Sequence, residues 1–351
     1  MKFLYLACWL ALTAPQAARA ADIELLVGFA PGQGADMAAG PDAASEATRR
    51  LTSETTYDDA GRFYAENLGR FLPGSPRVTA RLLPGAGSLL AANRLASASG
   101  EGAVLALLGP RSVFEPLIDP QNARWLASDF HWIGALSRDD GVCVARNDAH
   151  VAGPADIRTH EVFTAALAPG SRSFVYARAL NELGGARLKI ISGYGGAFEA
   201  TRALETGEVQ AWCGWTMNTL LYSRSSLLRD GELNPFVRFT VETGVKPTGM
   251  PAASAFASSV AERAAMRAVA SQTRFGAFAL AASPATPEKT VDALRSSFLA
   301  MLRDPGVLQA AAQRGMIVDP VPGAELQALA AELNELDAGA REKLRTILSQ
   351  R

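Results

Sequence analysis

Ile23-Glu-Leu-Leu-Val-Gly-Phe-Ala-Pro-Gly-Gln-Gly-Ala-Asp36 sets a short apolar strand directly before a turn rich in Pro and Gly. Leu25, Leu26 and Val27 are too few for a core helix, and Pro31, Gly32 and Gly34 stop the strand. In an α/β sheet such a turn bares backbone N–H groups at the start of the next helix, where an anion is stabilised. The alternative is an ordinary surface turn. Two nucleotide readings fail. A dinucleotide fingerprint needs a third Gly where Met37 stands, and no Gly-Lys-Ser/Thr follows Gly34 to make a phosphate loop. The later Gly-rich turns fail in the same way, with Leu90 after Gly85 and Gly87, and Phe198 after Gly193 and Gly195.

Upstream, residues 1–20 carry Lys2, an apolar run from Phe3 to Ala14 and the triplet Ala18-Arg19-Ala20, the form of a cleaved export signal. The run is too short for an ordinary spanning helix, and no later segment is long and uncharged enough to be one. Cys8 lies inside the run and leaves with it. The chain of 351 residues has a formal net charge of −1, which becomes −3 once Lys2 and Arg19 are gone. Neither nucleic acid nor an anionic membrane surface is therefore an expected partner. A mature chain of this length exceeds one core, so two α/β domains are expected. Cys143 and Cys213 remain, to close one disulfide or to stay as two buried thiols.

Downstream, residues 35–56 read unlike their surroundings, being small, polar and mixed in charge around the turn Gly40-Pro41-Asp42. A helix starts near Asp58, with Phe63, Tyr64, Leu68 and Phe71 at helical spacing and Pro73-Gly74 as its stop. Residues 78–83 form a second strand. It enters a second turn, Pro84-Gly85-Ala86-Gly87-Ser88, with a helix over 89–98 behind it.

A strand ending in Phe29-x-Pro31-Gly32-x-Gly34-x-Asp36, followed by Leu83-Pro84-Gly85-Ala86-Gly87-Ser88-Leu89-x-Ala91-Ala92-Asn93, resembles the periplasmic receptors of tripartite tricarboxylate transporters, the Bug-type or TctC-like solute-binding proteins. The likeness continues through Trp132-Ile133-Gly134, Cys143-Val144-Ala145, Gly207-Glu208-Val209-Gln210, Cys213-Gly214-Trp215 and Asp304-Pro305, over nearly the whole mature chain. It implies an α/β fold of the two-lobed, Venus-flytrap, type II-like periplasmic-binding-protein kind. Such a fold closes on a small organic anion: a di- or tricarboxylate, an amino acid or an aromatic acid. The resemblance places the ligand carboxylate at the turns after the first two strands, with the second lobe as the opposite wall. Backbone donors at helix N-termini suit that task, since they stabilise a carboxylate without a counter-charge. One departure is clear. The family's acidic residue opening the first helix has two candidates, Asp36 and Asp58, and Tyr57-Asp58 with Arg62, Ala65, Leu68 and Gly69 is the better match. Residues of about 35–56 then become an insertion in lobe 1 that covers the cleft mouth or disables it.

Further along, residues 104–108 read as a buried strand. Gly109-Pro110-Arg111-Ser112 is a third turn facing the same cleft, where Arg111 meets a second ligand carboxylate or is a solvated loop Arg. Residues 130–136 lead to the hinge and 142–145 enter the second domain. There the strands are expected at 163–167, 188–191, 209–212 and 237–241, and 275–281 returns past the hinge. Gly170, Ser171, Arg172 and Ser173 form the turn after the first of these strands. Ser171 and Ser173 cap the following helix or donate to a ligand oxygen, while Arg172 would favour a ligand with a second acid group. Tyr194, Gly195 and Gly196 match a turn of the family in which an aromatic ring packs on the ligand. Trp215 is a cleft wall or a core aromatic. A Cys143–Cys213 bond is expected because both lie on strands near the crossover. Thr286 and Pro287 read as a helix start, and residues 324–348 as amphipathic helix packed on a domain.

These boundaries give lobe 1 as residues 21–138 with about 242–351, and lobe 2 as 139–241. His131, His150 and His160 have no metal-ligand spacing and no Gly-x-Ser-x-Gly elbow exists, so no metal, cofactor or catalysis is expected. The expected protein is a monomeric periplasmic receptor that takes a small carboxylate to integral-membrane transporter subunits. A receptor for a membrane signalling partner and an exported hydrolase stand as the alternatives.

Overall fold

Leu25, Leu26 and Val27 are all fully buried, and the pleat sends Leu25 and Val27 to one side of their sheet and Leu26 to the other. A strand covered on both faces belongs inside a sheet. Accordingly β1 (Ile23–Val27) pairs in parallel with β2 (Val78–Leu82) on one side and β3 (Val104–Leu108) on the other. The computed structural model describes residues 21–31, 56–99, 104–123, 125–242 and 250–349. The expected export signal, Gly32, Gly34, Asp36 and the expected insertion up to residue 55 lie outside them.

Two helices fix the faces of β1. α1 (Tyr57–Asn67) puts Phe63 and Tyr64 in the cluster of Leu25 and Val27, while α2 (Leu89–Ala96) puts Ala91, Ala92 and Leu95 in the cluster of Leu26. Right-handed crossovers to opposite sides of β1 require this split. They make β1 a topological switch point, where the carboxyl ends of the strands open a crevice. α3 (Pro110–Ile118) follows β3 directly.

The chain continues through β4 (His131–Ala135) into a second sheet of β5 (Gly141–Arg146), β6 (Val162–Ala166), β7 (Leu188–Ser192), β8 (Ala211–Thr216) and β9 (Leu233–Phe239). It returns to the first with β10 (Ala279–Ala282) and β11 (Val321–Pro322). The strand orders are β11-β4-β10-β3-β1-β2 and β7-β6-β8-β5-β9. β6 lies between two parallel neighbours, β7 and β8. α4 (Arg172–Gly184) leads from β6 to β7 and α5 (Ala197–Thr206) from β7 to β8. The second sheet thus repeats the switch point of the first, and the turn after β6 is the counterpart of the turn after β1. Cys143 on β5 and Cys213 on β8 are joined by a disulfide, with their Cα atoms 4.0 Å apart.

Several boundaries differ from the expected ones. The strand expected at 209–212 is displaced to Ala211–Thr216, because the Glu208 and Val209 N–H groups still bond back to the Ala203 carbonyl at the end of α5. The strand expected at 237–241 begins earlier, at Leu233. Residues 275–276 are helical: α6 (Val260–Gly276) opens on a capping box in which Ser259 Oγ accepts from Glu262 N and a Glu262 carboxylate oxygen accepts from Ser259 N. Phe278, at φ 59°, then turns the chain into β10. The helix expected from Thr286 begins one residue later as α7 (Glu288–Met301), because the Thr286 N–H bonds to the Ser283 carbonyl. The C-terminal helical stretch divides into α8 (Gly323–Asn334) and α9 (Ala338–Leu348).

α6 joins the two halves. Its Met266, Val269 and Phe275 lie in one apolar cluster with Leu26 and Leu95 around the first sheet and Val175 and Phe236 around the second. At its last turn Arg274, 1% exposed, lies 3.4 Å from Asp140, 3.2 Å from Glu242 and 3.7 Å from Glu325, and donates to the Asp139 carbonyl. Arg138 reaches Glu325 at 2.6 Å and Arg238 lies 3.7 Å from Asp140. These charges gather where the chain crosses between the sheets. α9 also spans both halves: Arg345 Nε donates to the Leu117 carbonyl of α3, and Arg178 of α4 donates to the Ser349 carbonyl.

Candidate functional site

The turn after β1 is held close to the turn after β2. A Cβ on Gly28 would lie 2.3 Å from Ser88 Cβ and 2.8 Å from Ser88 Cα, so only Gly permits this approach. Phe29 is buried and stacks on Tyr57 at 3.8 Å, its ring edge filling the space over Gly109. Tyr57 in turn donates to the Gly276 carbonyl of α6 at 3.3 Å, and burial pushes its phenol well above the ordinary range. Asp58, also buried, accepts from Thr56 Oγ1 at 2.7 Å and lies 3.0 Å from Arg62. Both Phe29 and Asp58 are thus committed inside the first lobe. Pro31 is exposed.

The turn after β2 has an unusual backbone. Gly85, Ala86, Gly87 and Ser88 take φ values of 152°, 46°, 66° and 73° in succession. Ala86 and Ser88 each carry a Cβ in a left-handed conformation, at a cost of about 1–3 kcal/mol apiece that the surroundings must offset. Part of the offset is visible: Ser88 Oγ accepts from Gly109 N at 2.9 Å, joining the second turn to the third. α2 starts here, and among the described residues no side chain caps it. A 3₁₀ turn over Ala86–Ser88 runs into it, and the N–H groups of its first turn that this leaves unbonded face a solvent or ligand oxygen. In the third turn Ser112 Oγ donates to the Gly109 carbonyl at 2.8 Å, and Arg111 pairs with Glu115 at 3.1 Å.

Across from these turns lies the one after β6, with Gly170 at φ 85°. Ser171 caps α4 through Phe174 N and bonds the Ser173 hydroxyl at 3.1 Å; Ser173 Oγ accepts from Leu167 N at 3.2 Å. These hydroxyls hold the turn. Arg172, half-buried, extends into the junction of both halves: its Nη1 lies 3.4 Å from the Gly214 carbonyl, and its Nη2 lies 3.8 Å from where a Cβ on Gly276 would stand. Its charge also acts on Asp139, whose carboxyl burial pushes above the usual carboxylate range while hydrogen bonds from Thr216 and from the backbone of Asn218 and Asp140 oppose the shift.

Tyr194, Gly195 and Gly196 are engaged within their own lobe. Tyr194 donates to Glu208 at 2.7 Å, with its phenol pushed up to about 12 by burial and then by that carboxylate, and Gly195 N donates to Glu199 at 2.8 Å. Trp215 is buried in the second sheet's core, its ring 5.8 Å beneath the Arg224 guanidinium, and so occupies a core position rather than a wall.

A groove of about 650 Å³ opens between the halves, with Pro110 and Arg111 on one wall, Gly170 to Arg172 on the other and Gln272 of α6 among its lining residues. The geometry therefore brings Arg111, Gly170, Ser171 and Arg172 together, with Gly85 to Ser88 tied in through the Ser88–Gly109 bond. Gln272 and Asp139 were not among the sequence candidates. The capping box Ser259-x-x-Glu262 was the signal that would have revealed the helix carrying Gln272. Among the described residues no cluster of His, Cys, Asp and Glu could hold a metal ion, and no helix is long and apolar enough to cross a membrane.

No protein-family model matches the chain, and no curated protein does. Solved structures do. A TctC solute-binding protein from Polaromonas, solved without ligand, is 19% identical over 91% of this chain and 100% of its own, with a TM-score of 0.60. An R. palustris protein solved with adipate is 16% identical over 91% of this chain and 97% of its own, with a TM-score of 0.51. The chain shares with them the two-lobed α/β periplasmic-binding-protein fold.

Proposed function

We propose that this protein is a periplasmic solute receptor that captures a small organic carboxylate between its lobes and presents it to a membrane transporter of the tripartite tricarboxylate type. The observation that carries the reading is the run of left-handed residues at Gly85–Ser88 before a helix start without a side-chain cap, tied through Ser88 to Gly109, whose neighbours Pro110 and Arg111 line the groove with Arg172. Backbone donors there hold one carboxylate, and the Arg172 guanidinium favours a second acid group. The remaining candidates take lesser parts: Pro84 and Pro31 shape the turns, and Arg111 flanks the groove. Because the donors are preformed on both lobes, ligand binding favours the closed arrangement through contacts with each. That the similar folds include a solute-binding protein and one solved with adipate supports a receptor over an enzyme.

Thermal unfolding of the mature protein, stripped of bound ligand, against di- and tricarboxylates, acidic amino acids and aromatic acids tests this. An acid present at about a hundred times its Kd stabilises by about 2.7 kcal/mol, a shift of several degrees. Gly85→Val should abolish the shift, because a side chain at φ 152° is strained and its Cβ would meet Leu90 Cδ1 at 2.4 Å. A panel without any shift would refute the receptor reading.

A further inference from the structure

Asp139 and Arg172 meet at the same end of β8. Arg172 Nη1 lies 3.4 Å from the Gly214 carbonyl. Two residues further along the strand, Thr216 gives its hydroxyl to the half-buried Asp139 carboxylate, and the Asn218 N–H reaches Asp139 Oδ1 at 3.1 Å. Two strand residues span about 7 Å, so the guanidinium's field reaches the carboxyl group and opposes the larger upward push of burial on its pKa. The charged groups on the neighbouring elements are committed elsewhere. On the crossover, Asp140 lies 3.4 Å from Arg274 and 3.7 Å from Arg238, and Arg138 pairs with Glu325 at 2.6 Å. On α6, Arg274 donates to the Asp139 backbone carbonyl and spreads its charge over Asp140, Glu242 and Glu325. On α1, Tyr57 is neutral, with its phenol raised by burial. An acid group entering the groove at Arg172 therefore shares that cation with Asp139. Two carboxylates drawing on one guanidinium in a half-buried site do not both keep their charge, and one proton is bound between them.

We infer that Asp139 selects the charge of the ligand: a second acid group comes to Arg172 together with one proton from solvent, held between that group and Asp139. Asp139 is then a specificity-determining residue of the site, which disfavours a fully ionised diacid and accepts the same diacid once protonated. That role rests on the receptor reading and defines its second-acid subsite. A bound acid group adds negative charge beside Asp139, so binding takes up protons and tightens as pH falls.

Calorimetric titration of succinate and glutarate in two buffers of different ionisation enthalpy, at about pH 6.5 and so above the ordinary carboxylate range, counts these protons. The wild type should take up about half a proton or more per diacid, and its affinity should rise about threefold to tenfold for each pH unit lowered. Asp139→Asn keeps an oxygen for the Asp140 and Asn218 N–H groups and removes the competing charge. It should bind both diacids about threefold tighter or more at about pH 7.5, with no uptake. Thr216→Val removes a hydroxyl that favours the charged carboxylate, so it should carry the uptake to higher pH. Diacid binding without proton uptake, or uptake that survives Asp139→Asn, overturns the inference and leaves the receptor reading intact. Uptake whose pH dependence is unmoved by Thr216→Val does the same. Binding of another acid but of neither diacid also overturns the inference alone, whereas binding of no acid removes both.

Discussion

Asp139 shows how one residue links the crossover to the cleft. Its Oδ1 accepts from the N–H groups of Asp140 and Asn218, at 2.9 and 3.1 Å, tying the start of β5 to the residues after β8. Burial nonetheless raises its pKa. A carboxyl raised in the folded state binds its proton more readily there than in the unfolded chain, so it lowers stability as pH rises from the unfolded value of 3.8 through the folded one. Asp139→Asn keeps an oxygen for both N–H groups and removes that titration. Urea unfolding at stepped pH should show a shallower loss of stability as pH rises above 3.8 than in the wild type; an unchanged slope would assign the effect to Asp140 alone, which burial also raises. Cys213 makes a second residue-scale case. Fully buried and bonded to Cys143 across adjacent strands, it should cost about 2–5 kcal/mol on replacement by Ala, read as a lower urea midpoint under non-reducing conditions.

Among the elements, α6 bears the most on closure. Its last turn presents Arg274 to carboxylates of both crossovers and of α8. Among the described residues the buried atoms Asp140 Oδ1, Arg238 Nε and Arg274 Nε have no hydrogen-bond partner, so the cluster is held by charge more than by directed bonds. Arg274→Met should destabilise by about 3 kcal/mol, the low end for a broken buried pair, because Glu242 and Glu325 stay about a third exposed and Asp140 keeps a smaller contact with water. A loss under 1 kcal/mol in chemical unfolding would mean that Arg138 and Arg238 suffice to hold Asp140. The same helix marks how far the sequence could be read. β1, β3 and the turns after β2 and β6 were legible, because short apolar runs followed by Gly and Pro are local signals. α6 was passed over although its Ser259–Glu262 box was visible, since a run dominated by Ala and Arg gives a weak apolar stripe. Gln272 was hidden with it. The burial of Phe29 and Trp215 could not be read either, since an aromatic ring beside a turn fits a wall and a core equally until its neighbours are placed.

For the whole molecule, the two switch points are the essential feature. The turn after β3 and the turn after β6 line one groove between the halves, and α6 and α9 both contact the two halves. A ligand touching only one half cannot shift their relative position; one touching both can, by the difference in its affinity for the open and closed arrangements. Small-angle X-ray scattering of the ligand-free mature protein, alone and with the acid giving the largest thermal shift, tests this most directly. The radius of gyration should fall on binding in the wild type and stay unchanged in Gly85→Val. A wild-type protein that binds the acid with no change in radius would contradict capture between closing lobes.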